Sequence, residues 1–223
     1  MIHLDTAFSQ QFVPTELPAA VRAALGKPLR RAAALTQLAL LGAFAALPAE
    51  RRALPTALLW QSTSGPRLEI LTLLAEICEA GGEPMPYDFL ATQPALAAVQ
   101  IQPFLPGLQA ASHVPLDNAE TANWGLLLSL AIAWLNESRY SQVLCAQLDH
   151  RHDLASGHWL SLSRAAGTAP LARLAMAASF PPCLPDTPDL PARIANWLAH
   201  PGPSRLLLES PADRGQTVEF ARL

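Results

Sequence analysis

At 223 residues the chain can enclose one large hydrophobic core or two small ones. Just over half of it is apolar (51%) and only 15% is charged, a lean surface that suggests apolar area covered by a partner subunit. The net charge of −3, with acids and bases scattered, excludes the basic stripe that nucleic-acid binding needs, and no uninterrupted apolar run reaches the roughly 18 residues of a membrane span.

The N-terminus, MIHLDTAFSQQFVP, has neither a basic start nor a long apolar run, so a secretory signal is not expected and a cytoplasmic location is. Residues 1–30 are too mixed for an assignment. After Pro28, LRRAAALTQLALLGAFAAL is rich in Ala and Leu, strong helix formers, and predicts a helix that ends at Pro48. ALPTALLWQS is a compact apolar run, as in a buried strand covered on both faces. SGPRLEILTLLAEICEAGG then places Leu68, Leu71, Leu74, Ile77 and Cys78 at helical spacing, with Pro66 near its start and Gly81 past its end. PMPYDFL reads as a proline-rich loop, ATQPALAAVQIQPFL as a short helix and QAASHVPL as a strand.

DNAETANWGLLLSLAIAWLNES predicts a helix apolar almost all round, which implies burial. QVLCAQLD and GHWLSLSR are two further strands, and the alternation of strand and helix indicates an α/β fold with helices on both sides of the sheet. In the tail, APLARLAMAASF reads as a helical turn or two, PPCLPDTPDLP as a loop, ARIANWLAHPG as a helix, and RLLLES and QTVEF as strands added to the same sheet.

Sharp chemical readings each meet a plainer one. Cys78, Cys145 and Cys183 are far apart with no CxxC spacing, so they read as buried structural thiols. The HRHD run, His150 to Asp153, has ligand types close together but too few of them for zinc, and reads as a solvated loop. His158 reads as strand packing. The small-residue turn Ser62–Gly65 has the look of a phosphate cradle but lacks GxxxxGK[ST] and GxGxxG, and no GxSxG elbow occurs. No cofactor or metal motif is found.

Residues 28–164 resemble the N-terminal half of the ketoacyl synthases, thiolase-fold condensing enzymes of fatty acid and polyketide synthesis. The pieces are the Arg30–Arg31 pair before the first Ala/Leu helix, ALLWQSTSG as the first buried strand, PMPYDFLATQPALAAVQI near the dimer interface, and the stretch from ASHVPLDN to AQLD. In that stretch Asp149 takes the place of the family's acid and Gly125 lies in the first turn of the central helix. The resemblance implies an α/β fold, a mixed sheet with helices on both faces, as one domain over residues 1–223 with 165–223 a divergent extension. The family's nucleophile is a cysteine at the start of the central helix, where the dipole and free N–H groups favour thiolate. Glu120 or Thr121 stands there instead, and no cysteine lies between Cys78 and Cys145. Active members are about twice as long and draw two oxyanion-holding histidines from their second half; His113, His150, His152, His158 and His200 match no such motif.

The resemblance is therefore to nucleophile-less chain length factors, including the half-length forms of aryl-polyene-type pathways. It implies a subunit inactive by itself that pairs with a full-length active ketoacyl synthase as a heterodimer, meets the acyl carrier protein only indirectly and shapes the acyl pocket. The strand from Gln109 to Leu116, including Ser112 and Val114, is the expected interface strand, and Phe89, Ile101, Phe104 and Val114 are the expected pocket-setting bulky residues. The alternative is a small α/β acyltransferase or hydrolase with residual activity through Glu120, Thr121 or His113.

Overall fold

The structure is a computed structural model of the chain. It describes every residue except 31, 80–84, 95, 119–121, 166, 168, 179–181 and 210–215, with Leu96 and Gln216 described by their backbone alone. Glu120, Thr121 and Gly81 thus lie outside the described residues.

Eight strands form one mixed sheet in the order β3-β2-β4-β5-β1-β6-β8-β7. β2 (Thr56–Ser62), β3 (Leu108–Pro115) and β4 (Gln142–His150) run parallel, while β5 (Ala155–Ser163) is antiparallel to β4 and to β1 (Ile2–Phe12). The last three strands, β6 (Ala172–Ala178), β7 (Arg205–Glu209) and β8 (Gln216–Arg222), extend the same sheet from the β1 edge by antiparallel pairing. The tail therefore continues the sheet built by the first 164 residues.

Helices cover both faces. On one face α6 (Trp124–Asn136) and α7 (Leu190–Ala199) pack with Trp124, Leu127, Ile194 and Phe220 at the centre. On the other, α1 (Leu17–Leu25), α2 (Ala34–Ala46) and α5 (Leu96–Ile101) enclose Leu38, Trp60, Ile101 and Trp159. α2 approaches β5 closely at Gly42, where a Cβ would sit 1.9 Å from Trp159 Cε2, so only glycine fits. β2 is buried at every position and β4 at all but its last, which fits their apolar runs.

Three expectations are corrected. Within APLARLAMAASF, Ala172–Ala178 forms strand β6 rather than helical turns, because pairing with β1 and β8 overrides the helix propensity of its Ala, Leu and Met. PMPYDFL carries a short helix, α4 (Pro86–Ala91), whose Pro86 occupies the first turn, where a missing N–H costs nothing. Residues 1–30, left unassigned, supply the long strand β1 and helix α1.

α3 (Arg67–Cys78) departs from ordinary amphipathic packing. None of its 12 residues is buried, and Ile70, Leu71, Leu74 and Ile77 are 40%, 49%, 48% and 43% exposed. α4 continues this surface with Phe89 at 57% and Leu90 at 46%, and Val99 on α5 reaches 63%. These two helices stand off the sheet with their apolar side chains toward solvent.

Candidate functional site

The parallel strands β2, β3 and β4 end together, and in open α/β sheets ligands sit beyond such carboxyl ends. Two glutamines, Gln61 and Gln147, lie buried near those ends, and burial obliges both to find partners. Gln61 Oε1 accepts from the backbone N–H of Asn123, 2.8 Å away, at the start of α6. Gln61 Nε2 donates to Gln147 Oε1 at 3.2 Å, and Gln147 Nε2 donates to Asp149 Oδ2 at 3.2 Å. The chain ends on Asp149 Oδ1, which accepts from Thr63 N, Thr63 Oγ1 and Ser64 N at 2.8, 2.8 and 2.7 Å. One directed row of hydrogen bonds thus joins the first turn of α6 to the turn after β2.

That turn is the Ser62–Gly65 segment with the look of a phosphate cradle. Gly65 adopts a left-handed φ of 51° and donates its N–H to Ser62 Oγ, so the N–H groups of Thr63 and Ser64 converge on one point. The point is filled by the carboxylate of Asp149. Burial pushes the Asp149 carboxyl up, but hydrogen bonds from Ser64, Thr63 and Gln147 outweigh this and hold it below the usual carboxylate range.

The start of α6 is filled in the same manner. Trp124 N donates to Asp186 Oδ1 at 3.0 Å and Gly125 N to Asp186 Oδ2 at 2.8 Å. Burial raises the Asp186 carboxyl, and the two N–H groups offset this only in part. With Asn123 N held by Gln61, three consecutive N–H groups at the start of α6 are engaged from within the chain. None of these three N–H groups is free to lower a thiol's pKa or hold an oxyanion.

The other singled-out residues fall as follows. Gly125 lies in the first turn of α6 and Asp149 near the end of β4, as the resemblance implies. Cys145 is buried under α6, where burial pushes its thiol up; Cys78 is exposed, contrary to the buried reading, and Cys183 is half-buried. His113 packs against Trp60 in a tilted pair with ring centroids 4.2 Å apart, and burial, partly countered by Asp149, lowers its pKa. His158 shares a hydrogen bond with Ser9 Oγ at 2.8 Å, between residues paired directly across β1 and β5. His150 to Asp153 close the β4–β5 connection, and among the described residues no group of three His, Cys, Asp or Glu could hold a metal ion.

Of the expected interface residues, Gln109 and Ser112 are exposed on β3, Val114 and Leu116 are half-buried at its end, and Phe89 is exposed on α4. Phe104 is half-buried beneath the Lys27 ammonium, 5.0 Å from its ring. Ile101 is fully enclosed by this chain's own core and offers no surface to a partner. The sequence reading missed Gln61, Gln147 and Asp186. The first two were findable as polar residues in strands with both faces covered; Asp186 lies in a proline-rich loop with no local signal.

No protein-family model and no curated protein matches the chain. Solved structures do. A complex of a ketosynthase with its chain length factor from Xenorhabdus doucetiae contains a chain 15% identical, matched over 99% of both chains with a TM-score of 0.56. A type II polyketide synthase acyl-carrier protein in complex with its ketosynthase bound to the hexaketide contains another, 11% identical, matched over 100% of this chain and 99% of that one with a TM-score of 0.60. The fold is that of the ketosynthases and chain length factors. The ishigamide ketosynthase/chain length factor shares it at 14% identity over 79% of this chain and 67% of that one, with a TM-score of 0.55. The first two neighbours are spanned nearly end to end. Among the described residues no helix is long and apolar enough to cross a membrane.

Proposed function

We propose that this chain is a non-catalytic, chain-length-factor-like subunit that pairs with a full-length active ketoacyl synthase in polyketide-type biosynthesis. The observation that carries the reading is the unequal treatment of the two edges of one sheet. The β7 edge is five residues long and shows exposed Arg205 and Glu209, the short, charged form that discourages strand pairing. The β3 edge is eight residues long, LQAASHVP, with no Asp, Glu, Lys or Arg, and pairs with β2 alone. Val99 of α5, the helix that packs on β3, is unburied, and so are the apolar side chains of α3 and α4. An open, uncharged edge on a chain that also exposes this much apolar side chain is an aggregation hazard unless a partner covers it. The neighbouring solved structures are complexes of ketosynthases with chain length factors or carrier protein, which supports a synthase as that partner.

In this reading the synthase supplies the thiol and the histidines, and the carrier protein docks chiefly on it. Phe89, Phe104 and Val114 border the shared acyl pocket, the pathway is of the aryl polyene type, and the complex is cytoplasmic. The alternative of a residual acyltransferase or hydrolase draws no support from α6, whose first N–H groups are already engaged.

Co-expression with a full-length ketoacyl synthase from the same genome tests the pairing. A 1:1 complex is expected by size exclusion with light scattering, and Leu74→Glu with Phe89→Glu should abolish it while leaving the isolated chain's melting temperature unchanged. A purified chain that takes up and elongates an acyl group without a companion would overturn the proposal.

A further inference from the structure

A pocket of about 490 Å³ opens beyond the ends of the parallel strands, between α3 and the β4–β5 connection. This is within the size range of small-molecule sites. Arg67, Leu68 and Leu71 of α3 form one wall, and Asp117, Arg151 and His152 lie on the others. Its charge is unlike the rest of the molecule. The protein carries −3 overall, yet here two permanent cations stand against one carboxylate, that of Asp117.

The cations are also unspent. Among the described residues the ion pairs are Arg51–Asp5 and Arg205–Glu219, so neither Arg67 nor Arg151 has a carboxylate within pairing distance. Asp149, the nearby acid at the end of β4, is consumed by the turn at Thr63 and Ser64. The Arg151 guanidinium is drawn over that turn by a long contact, 3.4 Å, from its NH2 nitrogen to Thr63 Oγ1. Leu68 and Leu71 supply an apolar strip beside the charge. Two guanidinium groups flanking an apolar wall suit a ligand with an anionic head and a hydrocarbon tail, because guanidinium forks bind phosphate and carboxylate oxygens in pairs.

We infer that this pocket is a binding site for a small amphiphilic anion, a phosphate or carboxylate head on an apolar chain, held by Arg67 and Arg151 with the chain along Leu68 and Leu71. The lining comes wholly from this chain, and because Leu71 also belongs to the α3 face assigned above to the partner, the site is tested on the isolated chain, where that face is open.

The experiment is calorimetric titration of the isolated full chain with octyl phosphate, octanoate and octanol, which share a tail and differ in the head. Saturable binding of at least one anion at one site is expected, with octanol weaker by about tenfold or more. The preferred anion tells a phosphate ligand from a carboxylate one. Arg67→Met with Arg151→Met should weaken the anions at least about tenfold, and Arg205→Met, at a distant ion pair, should leave them unchanged. Both pocket arginines are exposed, so the double variant keeps its fold, checked by its melting temperature. Octanol binding as tightly as the anions, anion affinity unaltered in the double variant, or no binding of any of the three would overturn the inference.

Discussion

Asp149→Ala removes the acceptor on which the turn after β2 is built. The wild-type carboxylate takes three short hydrogen bonds on Oδ1, from Thr63 N, Thr63 Oγ1 and Ser64 N, and two longer ones, from Ser62 Oγ on Oδ1 and from Gln147 on Oδ2. Hydrogen bonds to a charged group contribute about 1.5–3 kcal/mol each, but they are not additive, and water reaches half-buried Thr63 and Ser64 once the carboxylate is gone. The expected loss is about 3 kcal/mol, which for a chain of this size lowers the melting temperature by about 6–12 °C. Asp149→Asn keeps one oxygen over the turn but sets an amide NH2 against the Gln147 donor, and should cost about half as much. Because the folded carboxyl is held below its usual range, its stabilisation is present above the unfolded pKa and fades as pH falls through the folded one. The gap between wild type and Asp149→Asn should therefore be constant from about pH 7 to 5 and narrow below about 4. Urea unfolding followed by fluorescence of the buried Trp60, Trp124 and Trp159 measures both. A loss under about 0.5 kcal/mol in Asp149→Ala, within the range of neutral surface changes, or a gap still full at about pH 3, refutes the reasoning.

Two further outcomes follow from the same chemistry. His113, His150 and His158 all have folded pKa values lowered chiefly by burial, so the unfolded chain binds protons more readily. Stability should fall as pH drops from about 7 through the folded values, and His158→Asn should flatten part of that slope in thermal melts; equal slopes would count against it. Installing a sulfur alone, as Asn123→Cys in a Cys78→Ser background, leaves the N–H groups of Trp124 and Gly125 bound to Asp186, so the new thiol should titrate near the ordinary value of about 8.5 in alkylation rates, and an inflection below about 7 would show an activating helix start after all.

The legible parts of the fold were those in which one sequence period served one environment. TALLWQS and QVLCAQLDH have apolar centres because helices cover both faces, and they were readable as β2 and β4. IHLDTAFSQQF was not, since β1 buries few of its side chains and carries polar residues throughout. ARLAMAA favours a helix by local preference and becomes a strand only because β1 and β8 flank it, information absent from the segment. The α3 stripe was visible as spacing, but spacing does not say whether its apolar side chains meet a core, and here they do not. The site was legible at Asp149 and Gly125 through resemblance. Its decisive contacts, Gln61 to Asn123 and Asp186 to Trp124 and Gly125, join residues about 60 positions apart, and only the folded sheet brings them together.

The two filled cradles share one physical logic. A turn or helix start that is to bind an anion must keep its N–H donors unmet until the ligand arrives, and unmet buried donors cost stability. This chain has closed both: Asp149 sits in the turn after β2, and Asp186 caps α6. Each carboxylate stabilises the fold by removing a vacancy that chemistry would need. The β3 edge, the apolar face of α3 and α4, and the pocket arginines Arg67 and Arg151 stay open at the boundary.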